Sequence, residues 1–193
     1  MAIVKPVIQY NLGYDVYTAQ VMASCLEPFV YQNETYGFMP NNLPALTIGG
    51  LLMRLSRLSL LGELISTKQK EGLNTAQQQV DNVKQKWFVI YTNRINHELT
   101  IHLNELDQFL NECRQDLDEC RELYPSLIEK RVMAQILGEE ARALQTLTPD
   151  TDDRLRDIDG RLKGYFKPGP FIWDQRLQPA YPQDRYWFLY VSL

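Results

Sequence analysis

From Thr75 to Tyr124 apolar residues recur every three or four positions through about fifty residues that include no proline or glycine. That period predicts one long helix. Its C-terminal half steps through Leu99, Leu103, Leu106, Leu110, Cys113, Leu117, Cys120 and Tyr124, the alternating spacing of a coiled-coil seam. Asn104, Glu105, Asp107, Glu112, Gln115, Asp116, Asp118, Glu119 and Glu122 stand between these positions, so the apolar stripe is narrow and the rest of that surface is wet. The N-terminal half instead holds the unbroken run Trp87, Phe88, Val89, Ile90 and Tyr91, which a helix buries only when it is covered on most sides. The pattern therefore predicts a helix with one end in a core and the other projecting. At about 1.5 Å per residue it would span on the order of 75 Å, about twice the width of a compact domain of this length. An elongated molecule is expected, with a break near Asn93 to Asn96 as the alternative.

Downstream, Pro125 disfavours helical geometry in the residue before it and fits the first turn of a new helix. The chain is expected to reverse there, a kinked continuation being the alternative. Leu127, Ile128, Arg131, Val132, Gln135, Ile136, Ala141, Leu144 and Leu147 then form a stripe that can pack antiparallel on the acidic arm. Thr148, Pro149 and Asp150 mark another helix start, with a capping hydroxyl, proline at the first helical position and an acid in the first turn. Leu155, Ile158, Leu162 and Tyr165 follow at helical spacing. Around them, charges of alternating sign from Asp152 to Lys163 predict a solvated face.

Upstream, the pattern gives a helix over Asp15–Phe29, a loop rich in Asn, Pro and aromatic residues over Tyr31–Pro44, and a helix over Leu43–Ser66 with almost no polar face. Gly49 and Gly50 lie early in that apolar helix and weaken it by roughly 1 kcal/mol each relative to alanine. They predict a close helix crossing or a later helix start; a phosphate-cradling loop would need a GK[ST] or GxGxxG companion that is absent. Asn74 or Thr75 is the expected cap of the long helix. The tail from Phe166 to Leu193 has five prolines and glycines in Pro168, Gly169, Pro170, Pro179 and Pro182, and it concentrates Phe171, Trp173, Tyr181, Tyr186, Trp187, Phe188 and Tyr190. It is expected to be ordered and to bury its rings, with Tyr186–Ser192 pairing with Ile3–Gln9 in a two-stranded ribbon.

The fold class expected is mainly α: a long antiparallel helical hairpin, coiled-coil-like, on a small helical body, with the aromatic tail forming a short β ribbon. A single domain over 1–193 is expected, with a body over 1–72, the hairpin over 73–165 and the tail over 166–193.

Charge and cysteine usage narrow the picture. The formal net charge of −4 argues against the broad basic surface of a non-specific nucleic-acid binder. No secretory leader is apparent in the first residues. The most apolar stretch, Leu43 to Ile65, carries Arg54 and Arg57 in its middle, which argues against a membrane span. Three cysteines, Cys25, Cys113 and Cys120, without a CxxC pair fit a reducing cytoplasm.

The candidate chemistry is sparse. His97 and His102 form HExxxH, which misses the zinc spacing by one residue and points the two rings about 140° apart on a helix. Glu98, His102 and Glu105 share one helical face, the arrangement of an intrahelical ion pair or, with a second such motif that the chain lacks, of a metal site. Cys113 and Cys120, one heptad apart on the seam, are expected to pack as small apolar groups. Arg54 and Arg57 stand out, because a guanidinium in so apolar a helix must find a partner or reach water. With Lys68 and Lys70 they give residues 41–72 four basic against two acidic groups, facing the acidic Glu98 to Glu122 segment. Trp173 and Trp187 are the aromatic binding candidates, beside Arg176 and Arg185 in the tail.

No cofactor motif, catalytic triad order or metal-ligand cluster is present in the sequence. The expected function is that of a non-enzymatic scaffold or adaptor acting through coiled-coil protein contacts, with a protein partner or self-association. A nucleic-acid accessory role through Arg54, Arg57, Lys68 and Lys70 is the alternative, and a metal-dependent helical-bundle enzyme at Glu98, His102 and Glu105 a more distant one.

Overall fold

The structure, a computed structural model, describes residues 10–32 and 34–193. The fold is mainly α. Helix α1 (Leu12–Val30) begins where the Asn11 side chain accepts the Tyr14 N–H, and it buries Val16, Ala19, Ala23 and Leu26 on one face. A loop follows, pinned by paired backbone bonds between Gly37 and Leu46, in which Asn41 and Asn42 take positive φ of 57° and 56°. Asparagine tolerates that left-handed region. Helix α2 (Ile48–Leu60) starts after the Thr47 cap, and a 3₁₀ turn over Gly62–Leu64 leads to α3 (Thr67–Lys86). Then come α4 (Phe88–Glu112), α5 (Leu117–Ala143) and α6 (Pro149–Tyr165). Strands β1 (Lys167–Phe171) and β2 (Tyr190–Ser192) pair antiparallel, enclosing 3₁₀ turns over Gln175–Ala180 and Trp187–Leu189.

The segment Thr75–Tyr124, expected as one helix, is three. The first interruption is at Trp87, whose φ of −124° and ψ of 36° leave the helical region although its N–H still reaches the Val83 carbonyl. The indole explains the bend. It meets Tyr31 edge-on at 4.8 Å and donates to the Glu27 carboxylate at 2.9 Å, contacts a straight helix does not offer it. The second interruption is a true reversal at residues 113–116, where Asp116 caps α5 by accepting the N–H groups of Asp118 and Glu119. The hairpin turn is therefore here and not at Pro125, which sits inside α5. Asn93 to Asn96 lie within unbroken α4. The cap of α3 is Ser66, in a capping box with Gln69, rather than Asn74 or Thr75.

With the turn moved, the seam closes on itself. Leu99, Leu103, Leu106, Leu110, Cys113, Cys120 and Tyr124 are all buried between α4, α5 and their neighbours, and only Leu117 is half-buried. Tyr124 packs against Phe166 at 4.0 Å and Phe109 at 6.3 Å. The span 73–165 thus holds one hairpin, α4 with α5, flanked by α3 on α1 and α6 on α4. The charged face of α6 is only partly solvated: Arg154 and Arg161 both reach Asp107 on α4, and Asp159 receives Arg131 of α5.

The tail contributes aromatic rings to the core. Phe171, Tyr181, Tyr186, Phe188 and Tyr190 are buried, and the Tyr124 hydroxyl donates to the Phe188 carbonyl at 2.8 Å. The partner of β2 is β1, a neighbour in the tail. Ile3–Gln9, the expected partner strand, lies outside the described residues.

Candidate functional site

Arg54 and Arg57 are three residues apart on α2, so they share a face, and that face meets the first turn of α1 and the turn at Gln175–Ala180. Asp15 of α1 receives them. Its carboxylate accepts from Arg57 Nε at 2.6 Å and from Arg57 Nη2, a bidentate pair. The Tyr10 hydroxyl adds a third bond at 2.8 Å, with its ring 5.5 Å beneath the Arg57 guanidinium. Arg54 donates to the Gly50 carbonyl at 2.8 Å, and its Nε lies 3.4 Å from Asp15 Oδ1 without hydrogen-bond alignment.

The electrostatics follow from burial. Burial depresses the Arg54 pKa, reinforced by the like charge of Arg57 and opposed by Asp15 and Glu129. Burial alone would lower Arg57 too, but the Asp15 bonds and the neighbouring Tyr181 overcome it and hold it above its ordinary value. Tyr10 is raised by burial and by Asp15. Tyr181, fully buried and with no aligned hydrogen-bond partner for its hydroxyl among the described residues, is raised by burial, which the neighbouring Arg57 opposes. Two guanidinium groups thus face Asp15 in contact, and Arg54 also feels Glu129 at longer range. Within the chain, Asp15 is the contact carboxylate of this pair.

Three of the four predicted binding residues come together here, linked through Tyr181. Trp173 meets the Tyr181 ring edge-on at 5.3 Å and donates its indole N–H to the Pro125 carbonyl at 3.1 Å. That bond also uses the proline inside α5 as an anchor for the tail. Trp187 is separate, edge-on to Phe188 at 5.7 Å under the Lys163 ammonium at 4.8 Å. Lys68 and Lys70 are exposed on α3 while Arg54 and Arg57 turn inward, so the four basic residues do not form one patch.

The face Glu98, His102 and Glu105 is assembled, but around a helix end. Glu98 accepts from the N–H groups of Ile48 at 2.7 Å and Gly49 at 2.8 Å, placing a buried carboxylate on the positive end of α2. His102 lies 3.3 Å from Glu98 and 3.2 Å from Glu105, and Lys130 reaches Glu105 at 2.6 Å. Burial would raise the Glu105 pKa, but the bonds from Lys130 and His102 outweigh it and lower it. Both Glu98 oxygens are engaged by backbone donors. Among the described residues no group of three or more His, Cys, Asp or Glu side chains is placed to hold a metal ion.

Gly49 is explained by the same contact. A Cβ on it would lie 2.7 Å from Glu98 Oε1 and 3.0 Å from Leu137 Cδ1. The glycine pair is a close crossing, as one of the sequence readings has it, and the anion at the crossing is a side chain.

Cys113 and Cys120 form a disulfide across the α4–α5 turn, with Cα atoms 5.1 Å apart. This corrects the reading of the two as packing thiols. Along one helix a heptad separates such residues by two turns; the reversal at 113–116 brings them together. Cys25 is a half-buried free thiol.

On the outside, an open groove of about 510 Å³ runs between α1 and α3, lined by amide and hydroxyl side chains such as Gln20, Gln69, Gln79 and Tyr17. Another, of about 520 Å³, lies at the start of α6, where Asp152 already receives Arg142 and Arg156. Among the described residues no helix is long and apolar enough to cross a membrane. No family model, curated protein or solved structure matches the chain.

Proposed function

We propose that this chain is a non-enzymatic helical scaffold that works through protein contacts on its outer surface. The observation that supports this reading is the apolar surface at the α3–α4 junction. In the run Trp87–Tyr91 only Tyr91 is buried: Phe88 is 46% exposed and Val89 67% exposed, beside the 47% exposed ring of Tyr31 and the half-buried Trp87. Adjacent large apolar residues left in water beside further aromatic surface mark contact sites more often than scattered single ones. The coiled-coil seam is occupied within the chain, so this junction takes over the role that the seam was expected to play.

A nucleic-acid role draws less support, because two of its four basic residues are held by Asp15. A cytoplasmic setting, expected from the cysteine usage, gains none from the Cys113–Cys120 pairing.

Quantitative affinity capture from the source cells, comparing the wild-type chain with a Phe88→Ser/Val89→Ser variant, tests the scaffold reading. Stoichiometric recovery of a protein with wild type and its loss with the variant is the expected result. Equal recovery with both, or none with either, would overturn it.

A further inference from the structure

We propose that His102 carries both ring protons in the folded chain at neutral pH, as the cation of a clamp that ties α2, α5 and the loop after α1 to α4, and that this clamp loosens as the pH rises.

Hydrogen-bond chemistry carries the assignment. His102 is buried on α4, and its two ring nitrogens face two different carboxylates: Nε2 lies 3.3 Å from Glu98 Oε1, and Nδ1 lies 3.2 Å from Glu105 Oε2. An ionised carboxylate only accepts, and a neutral imidazole has one N–H to give. A neutral ring would therefore set a nitrogen lone pair against a carboxylate oxygen on one of its two sides. Moving the proton onto a carboxyl group does not relieve this. Both Glu98 oxygens already accept backbone N–H groups, Oε2 from Ile48 at 2.7 Å and Oε1 from Gly49 at 2.8 Å. Glu105 receives the Lys130 ammonium on Oε1 at 2.6 Å; burial would raise its pKa, yet the bonds from Lys130 and His102 lower it. Only the imidazolium donates on both sides.

The charges count the same way. Burial alone disfavours a charged ring. With the second proton, however, the face sets His102 and Lys130 against Glu98 and Glu105, two of each sign; without it, two carboxylates share one cation. Arg94 and Tyr91 lie in the field of Glu98, and Tyr36 lies in that of both carboxylates. Of these three only Arg94 is a cation, and its guanidinium is turned to the Glu34 carbonyl and the Phe29 ring.

The proton joins contacts from three elements. Glu98 holds the first turn of α2, and Glu105 takes Lys130 from α5 and the Tyr36 hydroxyl, at 3.4 Å, from the loop after α1. A ring that holds its proton more tightly in the folded chain contributes stability that is complete below the unfolded value, about 6.5 for histidine. That stability is lost as the pH rises through the folded value.

Proton NMR on the full chain tests this. There are two histidines, His97 exposed and His102 buried, so one is an internal reference for the other, and His97→Gln assigns the signals. The His102 ring resonance is expected to titrate about one pH unit or more above that of His97. The urea midpoint of wild type is expected to fall over the same range. Glu105→Gln, which removes one of the two anions at its more exposed end, is expected to move the His102 titration down towards that of His97. A His102 ring that titrates with His97 or before it would overturn the inference, as would a titration indifferent to Glu105→Gln. A urea midpoint that stays flat while the ring loses its proton would overturn the clamp. Should Glu105→Gln not fold, the wild-type titration alone decides.

Discussion

Gly49 and Glu98, forty-nine residues apart in sequence, meet at the start of α2 so closely that the glycine has no room for a side chain. The carboxylate sits where helix N-termini commonly bind a free anion, with two backbone N–H groups pointed at it. Gly49→Ala forces a methyl against a carboxylate that cannot swing aside, with Leu137 and Met133 closing the other sides. A loss of about 1–3 kcal/mol is expected in urea unfolding. Gly62→Ala, whose Cβ meets nothing within 4 Å, serves as the comparison and should change stability by less than about 0.5 kcal/mol. Equal effects at the two glycines would contradict the crossing.

Asp15 holds the buried end of the arginine pair. Asp15→Asn leaves two guanidinium groups without their contact carboxylate, and breaking a buried pair of this kind costs about 3–5 kcal/mol. Tyr10→Phe removes one hydroxyl bond to the same carboxylate and should cost only about 1 kcal/mol. Chemical denaturation of both variants checks the ranking; an Asp15→Asn variant as stable as Tyr10→Phe would mean that Glu129 or solvent already carries the charge.

Reduction of Cys113–Cys120 reopens a short loop. Chain-entropy arguments for a bridge of this sequence separation give about 2–3 kcal/mol. Thiol labelling should find one reactive cysteine, Cys25, in the unfolded but unreduced chain, and three after reduction. The melting temperature should fall on reduction, and a Cys113→Ser/Cys120→Ser variant should match the reduced protein. Three free thiols before reduction would exclude the bridge.

High pH should unfold the chain through its tyrosines. Burial pushes Tyr186 up to about 12, and it raises Tyr10, Tyr91, Tyr124 and Tyr181 as well. A group whose folded pKa is raised contributes stability that is complete below its unfolded value, about 10 for tyrosine, and is lost as pH climbs towards the folded one. Phenolate absorbance should therefore rise in two phases, the second coinciding with loss of helical circular dichroism. A single phase with helicity intact would contradict the burial of these rings.

What could be read from the sequence was whatever repeats locally. Thr148 and Pro149 announce α6 because capping chemistry is a matter of adjacent residues, and the tail rings at Tyr186 and Phe188 announce their burial by density alone. The period of the seam identifies the residues that are buried, but it does not say against what. A heptad pattern runs through the turn at 113–116 without a missed step, so the reversal left no mark in the spacing, and Pro125 offered a misleading one. The Trp87 bend depends on Tyr31 and Glu27, and the site depends on Asp15 meeting Arg57 and Glu98 meeting Gly49. Such pairings have no periodic signature. The signal that was available was the anomaly: arginines and glycines where an apolar helix has no use for them, which drew attention to α2 and left the identity of the neighbouring groups open.

The most direct measurement is chemical rescue at α2. Glu98→Ala removes the internal carboxylate and exposes the Ile48 and Gly49 N–H groups, so added acetate or formate at constant ionic strength should raise the melting temperature of this variant while leaving wild type unchanged. Should Glu98→Ala be too unstable to study, Glu98→Gln keeps the shape, gives up the charge and is expected to show a smaller loss. Rescue confined to the variant is the result expected if the chain fills its own anion site and keeps its function for the outer surface. Stabilisation of wild type by the same anions would contradict that account, because it would mean that α2 has a vacancy for a ligand after all.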